Sequence, residues 1–156
     1  MKKIFTLLLL SITVVSGLSA QQSAPVRKAQ FNLEKSGVAI QGYDPVAYFL
    51  SQKAIEGKDD ITAVYNGVTY RFANAKNKEA FNANPAQYEP QYGGWCAYAM
   101  GAANKKVEID PETFKIVDNK LYLFYNKFLN NTLPEWNKDE ANLKANADKN
   151  WKKFAQ

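Results

Sequence analysis

Cys96 is the single cysteine of the chain, and Met100 follows it four residues on. That spacing returns to the same face of a helix, where a thiolate and a thioether suit a soft metal such as Cu(I). The thiol supports two further readings: reaction with a partner, or burial as a small hydrophobe. Its neighbours Trp95, Ala97, Tyr98 and Ala99 favour burial. A second group is Tyr43, Asp44 and Tyr48. Asp44 precedes Pro45, so its carboxylate either accepts from turn amides or faces a ligand beside the two phenols. A third is Tyr92 and Trp95, which flank Gly93-Gly94. Glycines there let a ligand approach the backbone between aromatic walls. Tight packing explains the same four residues equally well, and they lack phosphate-loop spacing.

Catalysis finds little support. The chain has no His, which removes the usual general base and the commonest metal ligand. Cys96 has no evident base to deprotonate it, and the same holds for every Ser and Thr. The acid pairs Asp59-Asp60 and Asp139-Glu140 lie in polar stretches and read as surface charge or helix caps. A structural zinc site needs about four N, S or O ligands, and no Cys/His set of that size exists.

The chain has 156 residues, and its first 20 have the three parts of a secretory signal peptide. Lys2 and Lys3 precede the apolar run Ile4 to Val15, and Gly17-Leu18-Ser19-Ala20 sets small residues at an expected cut. The run is shorter than the roughly 20 residues a spanning helix needs. Export to a periplasmic or extracellular location is expected, with no stable membrane insertion after cleavage. All 15 acids and 18 of the 20 bases follow the cut, a net charge of +3 for the mature chain. Those bases are scattered and nearly all Lys, which argues against a nucleic-acid partner. A protein partner is not specified by the sequence, and the single Cys excludes an intrachain disulfide.

Residues 21–35 are polar and aperiodic, so a flexible leader is expected before a domain over 36–156. Val46-Ala47-Tyr48-Phe49 suits either a short strand or one helical turn. Ile61–Tyr65 and Val68–Phe72 are β-branched and aromatic runs joined by Asn66-Gly67, the pattern of a two-residue hairpin. Asn74 can cap a helix carrying Ala80 and Phe81, which Pro85 ends. Trp95 to Ala103 reads as a buried helix. A second hairpin is expected where Phe114–Val117 and Leu121–Phe124 flank Asp118-Asn119-Lys120. A final helix, capped by Asn137 or Asp139, places Leu143, Ala147, Trp151 and Phe154 on one apolar stripe. The expected architecture is therefore α+β, with one small antiparallel sheet of two hairpins packed by three to four helices.

The order of these pieces resembles secreted bacterial YHS-domain proteins. The resemblance rests on Gly42-Tyr43-Asp44-Pro45-Val46-Ala47-Tyr48-Phe49, then Tyr65-Asn66-Gly67 and Tyr70-Arg71-Phe72-Ala73-Asn74. Phe81, Asn84-Pro85 and Tyr88-Glu89-Pro90 continue it, followed by Tyr92-Gly93-Gly94-Trp95-Cys96-Ala97. Lys115-Ile116-Val117-Asp118, Tyr122-Leu123, Ala147-Asp148 and Trp151 complete it. It implies a non-catalytic binding module for a soft metal such as copper or another small ligand. The metal-binding members carry cysteines at the hairpin end and on the helix after it. Here that stretch, Phe72-Ala73-Asn74-Ala75-Lys76-Asn77, has none. A structural or protein-interaction domain without a small ligand is the alternative reading, and an enzyme the third.

Overall fold

Asn66-Gly67 forms the turn that its residue types demand. Both residues have positive φ, 47° and 83°, and they join strand β1 (Lys58–Tyr65) to β2 (Val68–Phe72). Asp118-Asn119 makes a second turn of this kind, with φ of 50° and 56°, between β3 (Asp110–Val117) and β4 (Lys120–Phe124). The computed structural model describes residues 23–154. The expected signal peptide over 1–20 lies outside the described residues.

The α+β class holds, but the two hairpins do not share a sheet. Each is its own two-stranded antiparallel sheet, and a third, very short one pairs β5 (Asn126–Lys127) with β6 (Asn130–Asn131). The reason lies at the strand edges. Val38 forms a parallel bridge to Thr69 of β2, and Pro90 forms one to Leu121 of β4. Each hairpin thus already has a neighbour along its second strand, and helices fill the space between.

Seven α-helices occur among the described residues rather than three or four. The first, α1 (Ala24–Gln30), falls where a flexible leader was expected. Pro25 suits the first turn of a helix, and packing holds the rest. Arg27 is buried and lies over the rings of Phe31 and Tyr65, at 4.3 and 5.4 Å. Residues 24–30 are therefore part of the packed domain. The ambiguous stretch at Val46 resolves as helix, α2 (Pro45–Leu50). Next come α3 (Ala75–Ala83), capped by Asn74 as its sequence suggests, and α4 (Pro85–Tyr88).

The expected helix from Trp95 begins later, as α5 (Ala97–Ala103), because residues 91–94 form a separate tight turn with left-handed Tyr92 and Gly93. Two helices close the domain, α6 (Leu133–Lys138) and α7 (Glu140–Phe154). Asp139 is the junction: its carbonyl accepts from Leu143 N and its carboxylate from the Asn142 amide. The stripe of α7 faces the core, with Ala147 fully buried and Leu143, Trp151 and Phe154 packed against its cluster. Helices α5 and α7 lie so close that a Cβ on Gly101 would stand 2.3 Å from the Leu143 carbonyl oxygen. Only glycine fits that crossing.

Two apolar clusters form the core. One gathers Tyr48, Tyr70, Phe72, Phe81 and Cys96 around the first hairpin, and the other gathers Met100, Tyr122, Phe124, Trp136 and Ala147. Burial of such large rings supplies the main favourable term for a chain without disulfides.

Candidate functional site

The three groups of candidate residues occupy different parts of the molecule. Asp44 is fully buried and has a structural task. As N-cap of α2 its Oδ1 accepts from Val46 N and Ala47 N, at 2.9 and 3.3 Å. Its Oδ2 accepts from Ala73 N at 2.9 Å and from the Asn77 amide at 2.6 Å. Both oxygens are thus committed to backbone and side chain of this fold, tying α2 to the end of β2 and to α3.

Tyr48 is equally buried, and its hydroxyl donates to the Pro111 carbonyl at 2.9 Å. Burial pushes its phenol far above the ordinary value. Tyr43 is half-buried, and its phenol is also raised, first by burial and then by the carboxylates of Glu112, Glu56 and Asp110. Neither phenol is poised to act as an acid or base near neutral pH.

Tyr92 lines a cleft of about 390 Å³ together with Arg27, Glu89, Lys120, Asp148 and Trp151; Trp95 does not. The Trp95 indole instead donates to the Gln30 carbonyl at 2.7 Å, pinning the end of α1. Packing accounts for Gly93, since a Cβ there would stand 2.8 Å from the rings of Phe31 and Trp151. Both acids in the lining of this cleft already have partners. Glu89 accepts from Arg27 Nη2 and from the Tyr70 hydroxyl, and Asp148 accepts from the Tyr92 hydroxyl. Burial, followed by the nearby Asp148 carboxylate, raises the Tyr92 phenol well above its usual range. Arg27 is not marked as a site residue by the sequence, because residues 21–35 show no periodicity that would mark a buried side chain, and its pairing with Glu89 spans 62 residues.

Cys96 is the candidate whose surroundings leave room. It stands just ahead of α5 at the N-cap position, and its side chain makes no capping bond. The residue is fully buried, with Sγ accepting from Tyr125 N at 3.3 Å and lying 3.5 Å from the Thr132 hydroxyl. It also forms the floor of a recess of about 410 Å³. Tyr98, Ala99, Ala102, Val107 and Tyr125 make apolar walls, and Lys105, Asn130 and Thr132 add polar groups. Lys105 is the one charged side chain in that lining.

The helical spacing of Cys96 and Met100 is real, since Met100 N donates to the Cys96 carbonyl. Their side chains nevertheless enter different apolar clusters, and Met100 is not among the recess residues. Among the described residues no group of three or more His, Cys, Asp and Glu is placed to hold a metal ion. No family model, curated protein or solved structure matches the chain.

Proposed function

We propose that this chain is an exported, non-catalytic binding module of YHS type, and that its ligand is a small, largely apolar molecule with one anionic end. One observation carries the reading: an apolar recess of about 410 Å³ lies over a buried thiol and holds a single charge, Lys105. Small-molecule sites are commonly concave, mostly apolar and furnished with a few polar groups that fix orientation. Here Lys105 would meet the anionic end and the Asn130 amide offers hydrogen bonds, while the Thr132 hydroxyl already donates to the Tyr125 carbonyl. The charged cleft beside Tyr92 is the weaker candidate, because Glu89 and Asp148 there are already engaged within the fold.

The soft-metal version of this function gains nothing from the positions of Cys96 and Met100, whose side chains lie in separate clusters. Export rests on residues 1–20; an intact mass of the exported protein should show a start at Gln21, and retention of Met1 would overturn it.

Anilinonaphthalene sulfonate, an apolar ring system with one anionic group, is a suitable probe. We expect saturable binding to one site on the folded protein. Ala102 is exposed and lines the recess, so Ala102→Trp fills it without crowding the core. That variant should weaken the probe by about tenfold or more while leaving the thermal midpoint in place. Lys105→Glu should weaken it as well. Unsaturable binding, or binding indifferent to both variants, sinks the reading. Tight stoichiometric uptake of Cu(I) that Cys96→Ser removes would replace it with the metal version.

A further inference from the structure

The turn between β5 and β6 is built from the wrong residues for its backbone. Phe128 and Leu129 both have positive φ, 54° and 63°, the conformation of a two-residue hairpin turn. Asn-Gly is strongly preferred there and bulky side chains are disfavoured. Asn66-Gly67 shows that this chain supplies the preferred pair elsewhere. Both side chains at the strained turn also project fully into solvent, with exposures of 93% and 108%. Two large hydrophobes held in an unfavourable conformation at the tip of a protrusion contribute nothing to the core. Strain of this kind points toward function.

The charges nearby indicate what the tip meets. Lys127 flanks it, Lys105 stands on the rim of the adjoining recess, and neither the hairpin nor the recess lining contains an acid. Neither lysine has an ion-pair partner among the described residues. Asp110 is linked to the root of the hairpin, not its tip, through Thr113 and Asn126. We infer that Phe128 and Leu129 insert into the interfacial layer of a lipid bilayer, with Lys127 and Lys105 against anionic headgroups. A convex apolar tip needs a deformable apolar phase, and an aromatic residue beside Leu, flanked by Lys, suits the headgroup boundary. A second copy of the chain fits less well. Seating the tip of one copy in the recess of another would bring Lys127 beside Lys105, like charges with no acid between them.

This inference does not depend on the ligand proposed for the recess. Its test compares native protein with the double variant Phe128→Asn, Leu129→Gly, both recovered from the same exported fraction so that residues 1–22 contribute equally. The variant supplies the pair the turn prefers, so its thermal midpoint should equal or exceed that of the native protein. We expect native protein to sediment with equimolar phosphatidylglycerol–phosphatidylcholine vesicles, less with phosphatidylcholine alone, and less as salt rises. The double variant should lose about tenfold or more in vesicle affinity. Failure of the native protein to bind either vesicle overturns the inference. So does binding that the double variant leaves unchanged, or equal binding to neutral vesicles. Concentration-dependent dimerisation that the variant abolishes, without vesicle binding, would assign the tip to a second copy instead.

Discussion

Asp44 and Cys96 hold the same position in two similar passages of chain. Each follows a tight turn containing left-handed residues, each is the N-cap of a short helix, and a two-stranded hairpin comes next. At Asp44 the cap is a carboxylate with both oxygens filled, by two amides of its own helix and by two donors from Ala73 and Asn77. At Cys96 the cap is a thiol that makes no bond to its helix and meets Tyr125 N and the Thr132 hydroxyl beneath an apolar recess. Local geometry repeats while bonding capacity does not. A polar side chain whose valences are spent inside the fold has little left for a ligand, and the second passage is where capacity remains.

The largest effect is expected at the first cap. Asp44→Ala strands three donors, Val46 N, Ala73 N and the Asn77 amide, and leaves Ala47 N with only the residue-44 carbonyl. It should cost roughly 3 kcal/mol or more in a urea or thermal melt. Asp44→Asn preserves the shape but turns an amide donor either toward Ala73 N and the Asn77 amide or toward Val46 N and Ala47 N. It should still cost about 2 kcal/mol. At the second cap the numbers should fall. Cys96→Ala removes one weak acceptor and a small buried volume, at about 1–2 kcal/mol. Cys96→Ser keeps an atom able to accept from Tyr125 N and to pair with Thr132, and serine is a preferred N-cap. It should cost about 1 kcal/mol or less. A Cys96→Ala variant as damaging as Asp44→Ala would dissolve the contrast. A thiol reagent sharpens it further: Cys96 is fully buried, so labelling should be slow in native protein and fast in denaturant.

Much of the frame was legible because the signals were local. Asn66-Gly67 dictates its turn through backbone sterics, and the spacing of Leu143, Ala147 and Trp151 is a helical face whatever it packs on. Helix α1 was not legible, since its anchor is a buried arginine held by two rings and by Glu89, a residue distant in sequence. The separation of the hairpins was equally hidden. It is set by single bridges from Val38 and Pro90, which no strand pattern announces. Among the candidate site residues, types and spacing offered turn acceptance for Asp44 and burial for Cys96, each beside a ligand or metal role that they could not separate from it. The recess was beyond reach, because Lys105, Val107, Tyr125 and Thr132 come to Cys96 only through tertiary packing.

Gly93 is where the first and last helices of the described chain meet. Phe31 follows α1, Trp151 belongs to α7, and their rings lie 5.9 Å apart over that glycine. Asn32 completes the contact by donating to the carbonyls of Gly93 and Gly94. The two segments therefore guard each other's backbone against solvent, and neither can open alone without uncovering the other. In native-state hydrogen exchange the Asn32 amide should be protected as part of one cooperative unit with α7. Trp151→Ala, at the opposite end of the sequence, should speed its exchange, whereas the Phe72 amide in the first hairpin should keep its rate.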